Sequence, residues 1–195
     1  MELYPAQNVD IQHNQSSGGV VTFEAAGDTR GIRIWRNEIW NEGFLTTHQA
    51  NNMTVVNNTI WNMTTAMTFF SSGFGDSSTD GFIFTNNIVV ASGAFFYIQK
   101  EWASTATISH NLYYSMASPQ YFGCTIVCYT TFDSWRTGTG KEAASVSADP
   151  NLVSPTTNFT PGLGSPAIDR GQVVSGITDG SQGVRPDIGA REYGA

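Results

Sequence analysis

The feature that most constrains this chain is a short phrase that recurs five times: an apolar residue, two others, then Asn. It reads Ile11-Gln-His-Asn14, Ile34-Trp-Arg-Asn37, Val55-Val-Asn-Asn58, Ile83-Phe-Thr-Asn86 and Ile108-Ser-His-Asn111. The asparagines lie 23, 21, 28 and 25 residues apart. A period of this length means a solenoid, in which each repeat buries its apolar face only against its neighbours.

Two solenoids compete for the pattern. The run Ile32-Arg-Ile34-Trp-Arg-Asn37-Glu-Ile39 also fits a leucine-rich repeat, which needs a helical segment across from each strand. Here the intervening stretches, such as Gly19–Glu24, Phe44–Gln49, Ala66–Phe70 and Ala94–Gln99, read as strands between Gly, Asn, Asp and Ser clusters. The chain of 195 residues holds five leucines, against 12 Phe, 7 Tyr and 5 Trp. Aromatic and β-branched residues fill strands rather than helices. The expectation is an all-β fold: a single-stranded parallel β-helix of about five coils over residues 1–118. Residues 119–195 would form an irregular, loop-rich C-terminal cap packing on the last coil.

In such a stack each repeated Asn is expected at a sharp bend, where Asn tolerates left-handed backbone angles. Asn14, Asn37, Asn58, Asn86 and Asn111 would then lie about 4.8 Å apart. Their amides would bond along the stack and satisfy groups costly to bury unpaired. His13 and His110, each just before such an Asn, recur by repeat position and read as turn residues. Asp169, Asp179 and Asp187 lie in Gly- and Pro-rich turns and are expected to cap backbone amides.

The pattern resembles the pectin-lyase-like right-handed β-helix proteins. The likeness is carried by the Asn repeat and by the C-terminal order Asn111-Leu-Tyr-Tyr, Phe132-Asp-Ser-Trp135, Asp149-Pro150, Ser165-Pro-Ala-Ile-Asp-Arg-Gly171 and Arg185-Pro-Asp-Ile-Gly-Ala-Arg-Glu-Tyr193. It covers about residues 9 to 193 and implies a right-handed coil. It also implies a secreted or cell-surface setting and bacterial relatives, which discounts the sequons at Asn52, Asn57, Asn62 and Asn158. Such proteins are usually longer and carry an N-terminal cap, so this chain looks like the C-terminal section of a larger ancestor. An uncapped coil end exposes strand edges. Residues 1–20 are therefore expected to fold over that end or to pack against a second copy, making a homo-oligomer.

The family binds substrate along one outer strand face. Here the corresponding strands are 19–25, 44–49, 66–71 and 94–101, and alternation directs Glu24, Thr46, His48, Phe70, Tyr97 and Gln99 outward. Glu24, His48, Phe70 and Tyr97 on successive coils would make a shallow sugar-binding row, with Thr46 and Gln99 beside it. Aromatic rings stack on sugars there while polar groups bond hydroxyls. Catalysis is less well supplied. A lyase needs a Lys or Arg base and usually Ca²⁺ for an acidic polysaccharide, and Lys100 is the sole lysine near the face. A hydrolase needs facing carboxylates, and Glu24 and Glu101 sit on distant coils. His48, Glu24 and Lys100 are the catalytic candidates, without forming a convincing set, and no metal or cofactor is expected otherwise.

Charge narrows the partners. A net charge of −7 disfavours nucleic acid and anionic membranes. No apolar run spans a bilayer, and the first residues do not read as a signal peptide. Cys124 and Cys128 read either as a loop disulfide or as two inert thiols. The functional expectation is a module that contacts a polysaccharide or oligosaccharide, binding or weakly processing it. The alternative is a non-catalytic assembly module that self-associates through its coil end.

Overall fold

In a computed structural model, the structure describes residues 1–3, 5–18, 21–26, 29–41, 43–48, 51–70, 81–98, 106–116, 122–124 and 128–195. At residues 2, 21–26, 43, 46–48, 64–70, 96–98 and 123–124 it describes the backbone alone. The chain is mostly strand, and its repeats stack in parallel.

The apolar residue of each repeat phrase explains the first sheet. Strands Asp10–Gln12, Arg33–Trp35, Thr54–Val56, Ile83–Thr85 and Thr107–Ser109 pair in parallel, in that spatial order. Their central residues Ile11, Ile34, Val55, Phe84 and Ile108 stand in register and are all buried, while the exposed Arg33, Ile83 and Thr107 alternate with them. Period-2 alternation thus sends one side chain per strand to the interior.

The larger sheet takes the remainder of each repeat. Its first part runs through Gln15–Ser17, Glu38–Trp40, the start of Thr59–Phe70, the start of Ile88–Ile98, Leu112–Ser115 and Val146–Ser147. Here Ile39, Ile60, Val89 and Tyr113 stand in register and are buried in the interior. Its second part stacks Glu2–Leu3, Val21–Ala26, Gly43–His48, and the ends of the two long strands. One apolar interior runs from Leu3 and Ile11 to Phe122 and Trp135.

The turns between strands repeat as strictly as the strands. His13, Arg36, Asn57, Asn86 and His110 all have φ between 53° and 57°. Asn8, Gly31, Asn52 and Gly81 form a second left-handed series, at φ 56°, 67°, 51° and 67°. In that series the side chain of Asn8 fills the space where a Cβ on Gly31 would lie, 2.7 Å from Asn8 Oδ1. Asn and Gly therefore alternate because two adjacent side chains would not fit.

The amide ladder differs from its expected form in two ways. It runs Asn14, Asn37, Asn58, Asn87, Asn111, so Asn87 and not Asn86 belongs to it. The reason is register: Phe84, not Ile83, is the inward residue, and the ladder Asn lies three beyond the inward one. The ladder asparagines are also not the left-handed residues; the residue before each one is. Each ladder Oδ1 from Asn37 onward accepts the backbone N–H and Nδ2 of the preceding Asn, at 2.9–3.2 Å. From Asn37 onward, each Nδ2 also reaches a carbonyl of the preceding repeat (Ile11, Ile34, Val55 or Phe84) at 3.0 Å. Four of the five are fully buried, which explains why the pattern needs an amide: its oxygen accepts two bonds while its two N–H groups donate to both neighbouring repeats, which a single hydroxyl hydrogen cannot do.

The C-terminal region divides in two rather than resting wholly on the last repeat. Residues 122–124 and 128–148 lie at that end. The helix Phe132–Thr139 is capped by Thr131 and Ser134 and stopped by left-handed Gly140. Its Trp135 packs against Phe122 and Tyr129. Cys128 is disulfide-bonded, and Cys124, the chain's only other cysteine, stands opposite it in a short antiparallel pair.

Residues 150–193 instead run back along the side of the stack. Leu152, Phe159, Ala167 and Ile188 cover Ile88, Val90 and Leu112 on the outer face of the larger sheet. These strands therefore bury side chains on both faces. The two terminal motifs serve this path. Asn57 Nδ2 donates to the carbonyls of Asp187 and Gly189, and Asn86 pairs with the backbone of Gln172. Gly189 has φ 106°, a backbone angle that favours glycine, and a Cβ there would crowd Ile88 Cδ1 at 2.6 Å. Asp169 accepts from Val184 and Arg185, Asp179 from Gly176, and Asp187 from Asp169 and Tyr193.

Candidate functional site

The residues expected to form a row on the strand face fall in two columns. Strand pairing sets Glu24 beside Thr46, Thr46 beside Thr68, and Thr68 beside Tyr97. His48 pairs instead with Ala26 and Phe70. The two columns are two residues apart on each strand, about 6.6 Å. The register thus aligns Glu24 and Thr46 with Tyr97, and His48 with Phe70, without bringing the four into one line. The side chains of Glu24, Thr46, His48, Phe70 and Tyr97 are not described, and Gln99 and Lys100 lie outside the described residues.

A cleft of about 370 Å³ lies elsewhere, where the end of the chain returns to the first two repeats. His13, Asn14, Gln15, Arg36, Glu38, Ala190 and Arg191 line it. The left-handed turn column supplies His13 and Arg36; the residues just after it supply Asn14, Gln15 and Glu38. Glu38 is almost fully buried and accepts from Gln15 Nε2 at 2.5 Å, Arg191 Nη2 at 2.9 Å and Arg191 Nε. Paired this way, Arg191 holds its proton even more firmly than a free guanidinium. His13 lies edge-on to Trp35, ring centroids 5.1 Å apart. Arg36, half-buried, gives its backbone N–H to the Val56 carbonyl at 3.3 Å, and its guanidinium, which lines the cleft, also acts electrostatically on the Glu192 carboxyl.

A second depression of about 360 Å³ lies over the Asn–Gly turn column, lined by Asn8, Asp10, Gly31, Arg33, Asn52 and Thr54. Asp10 and Arg33 bridge it bidentately, with both contacts at 2.5 Å. The hydrogen bonds from Arg33 hold the Asp10 carboxyl below its ordinary range. This pair is solvent-exposed, so its charges are largely satisfied by each other and by water.

A buried carboxyl with a raised value lies away from both clefts. Glu142 accepts from Tyr113 Oη at 2.5 Å and from Asn111 Nδ2 at 3.4 Å, and lies 2.5 Å from Ser145 Oγ. Burial pushes its carboxyl up to about 7, against the hydrogen bonds that favour ionisation. Burial, then the facing Glu142, pushes the Tyr113 phenol well above its usual value. Because Asn111 donates its backbone N–H to Ser145, this cluster terminates the amide ladder, and it lines neither of these two clefts. Among the described residues no group of three or more His, Cys, Asp or Glu could hold a metal, and no helix is long and apolar enough to cross a membrane.

Arg36, Glu38 and Arg191 were not singled out by the sequence reading. A signal existed: Glu38 occupies a position held by Gln15, Thr59, Ile88 and Leu112 in the other repeats, and a lone carboxylate on a covered face requires a cation. The search of the chain against protein-family models, curated proteins and solved structures finds no match, so its own geometry carries the functional reading.

Proposed function

We propose that the chain is a right-handed parallel β-helix module, related in plan to the pectin-lyase-like proteins, that binds carbohydrate on its side without cleaving it. The observation that carries this reading is the cleft lined by His13, Asn14, Gln15 and Arg36, a concave set of planar hydrogen-bonding groups beside parallel strands. Sugar hydroxyls both donate and accept, and amide, imidazole and guanidinium groups on rigid turns match them at low entropic cost. Arg36 suits a ring carboxylate, which would overcome the repulsion of a net charge of −7 at this point. Binding is favoured over cleavage because Glu38, the cleft's acid, is already engaged by Arg191 and Gln15 and is not poised to transfer a proton. The Cys124–Cys128 disulfide fits an oxidising, extracytoplasmic setting.

The test is retention on neutral and acidic polysaccharides, with and without Ca²⁺, while following unsaturated products and new reducing ends. Arg36→Asn keeps a residue that tolerates the left-handed turn while removing the guanidinium; Phe70→Ala with Tyr97→Ala strips the strand face. Retention abolished by Arg36→Asn places binding in the cleft. Retention abolished only by the aromatic pair moves it to the strand columns. No retention on any polymer ends the carbohydrate reading, and cleavage of any polymer ends the non-catalytic part of it.

A further inference from the structure

The second and third repeats carry a pair of tryptophans that the cleft does not use. Trp40 and Trp61 stand in register, and since Ile39 and Ile60 beside them point inward, both rings face outward on strands about 4.8 Å apart. Both are half-buried and pack on the group around Ile88 and Phe159, with Trp40 tilted against Phe159 at 5.6 Å between centroids. An asparagine in the left-handed region follows each ring, Asn41 at φ 60° and Asn62 at φ 58°. The Asn41 backbone N–H donates to the Trp61 carbonyl at 3.1 Å and holds the two turns together. Beside the rings, Asn62 Nδ2 donates to Asn41 Oδ1 at 2.6 Å in an exposed contact. That leaves Asn41 Nδ2 as a donor and Asn62 Oδ1 as an acceptor, neither with a partner among the described residues.

We infer that Trp40, Asn41, Trp61 and Asn62 form a second sugar subsite, which takes a pyranose ring adjoining the one held in the cleft. The inference rests on the carbohydrate reading of that cleft. A pyranose presents C–H groups on its ring face and hydroxyls at its rim that both donate and accept. It therefore meets an indole and a donor–acceptor pair together. An apolar peptide or acyl chain would cover the same indoles but strip water from the Asn41 and Asn62 amides without replacing its hydrogen bonds. The subsite also continues the cleft. Glu38, which lines the cleft, lies two residues before Trp40 on one strand and on the same outward face, about 6.6 Å away. One oligosaccharide can thus span both, with its hydroxyls and carboxylate in the cleft and its next ring against Trp40.

Titration calorimetry with glucose and galacturonic acid oligomers of one to six units, read alongside tryptophan emission, tests this. Affinity is expected to rise about tenfold once an oligomer is long enough to reach Trp40, and the emission should shift at that same length. Trp40→Ala should remove the gain, while Trp40→Phe, which keeps a ring against Phe159, should restore most of it. Asn41→Gly keeps the left-handed turn and removes the amide, and should weaken the longer oligomers about fivefold. Arg36→Asn should instead weaken every length alike. If Arg36→Asn abolishes binding while Trp40→Ala and Asn41→Gly bind long oligomers as the parent does, the subsite falls and the cleft reading stands. Binding of no oligomer by the parent overturns both. An emission shift on phosphatidylcholine vesicles but on no oligomer would give the indoles to lipid and overturn the sugar assignment.

Discussion

The two ends of the amide ladder are built from the same repeat and finished differently. At the C-terminal end, Asn111 hands its backbone N–H to Ser145 and its amide to Glu142, and Lys141 and Glu142 take the carbonyl groups of Ala106 and Ile108. At the N-terminal end, Asn14 is exposed, and among the described residues its Oδ1 accepts no hydrogen bond. A stack of parallel strands has no intrinsic stop, because every repeat presents the next with the same donors and acceptors. Stopping it requires residues that break the pattern while still meeting its hydrogen bonds. Glu142 and Ser145 do so at one end, with a buried carboxyl as the cost.

The largest effect should come from cutting the ladder in its middle. Asn58→Ala leaves the N–H and Nδ2 of Asn37 without their acceptor and the Ile34 carbonyl without a donor, all within the core. At about 1–3 kcal/mol for each buried unpaired group, a loss of about 3–5 kcal/mol is expected in urea unfolding. Asn14→Ala removes the same amide at the open end, where water substitutes, and should cost about 1 kcal/mol or less. Equal losses would break the comparison, since they would mean that the first repeat is as enclosed as the third.

The closed end should respond to pH. The Glu142 carboxyl has a folded value of about 7, raised above the ordinary 4.5, so the native state binds its proton more tightly than the unfolded chain. This contribution is complete below the unfolded value and is lost as pH rises through about 7. Stability should therefore fall between about pH 5 and about pH 8, by up to about 3 kcal/mol at 1.36 kcal/mol per unit. Tyr113 faces the same carboxyl and, raised above its usual value, keeps its proton across this range, while burial lowers the neighbouring Lys141. Glu142→Gln should flatten the profile; a parent whose thermal midpoint stays constant or rises over that window would contradict the assignment.

A smaller effect is expected where the returning segment meets the second repeat. Arg191→Ala removes the guanidinium from Glu38, whose side chain is only 6% exposed, leaving Gln15 as its remaining donor. A loss of about 2 kcal/mol follows for an enclosed pair broken on one side, with amide exchange accelerating first at residues 187–193. The smallest concerns the exposed Asp10–Arg33 bridge: Arg33→Ala should change stability by about 0.5 kcal/mol and lose even that in high salt. A loss above about 2 kcal/mol there would show an N-terminal end more enclosed than its exposure indicates.

How far the sequence could be read follows from the range of each interaction. The repeat phrase located four of the five ladder asparagines, the turn histidines and the strand columns, because these depend on alternation within a few residues of each Asn. It misassigned Asn86 because Ile83 and Phe84 are both apolar, and only packing decides which one turns inward; the adjacent Asn87 then takes the ladder position. It aligned Glu24 with His48 because coil boundaries two residues apart preserve the face and change only the column. The left-handed angle was assigned to the ladder Asn, whereas a buried amide serving three partners leaves the bend to the residue before it.

The sequence by itself determined that the chain is mostly β, that its repeats stack in parallel, and that an amide runs through the stack; the helix Phe132–Thr139 was not expected. Alternation, strand-forming residues and a solenoid period are local properties, and a repeat can bury its apolar face only on its neighbours. Only the tertiary structure decided where the last forty-odd residues lie, because contacts such as Asn57 with Gly189 and Glu38 with Arg191 join positions 132 and 153 residues apart. No local pattern encodes such a pairing; it follows from the outward apolar face of Ile88, Val90 and Leu112, which water would otherwise touch. The same folding-back brings Arg191 to Glu38 and so makes the cleft, a site that exists in no single segment of the chain.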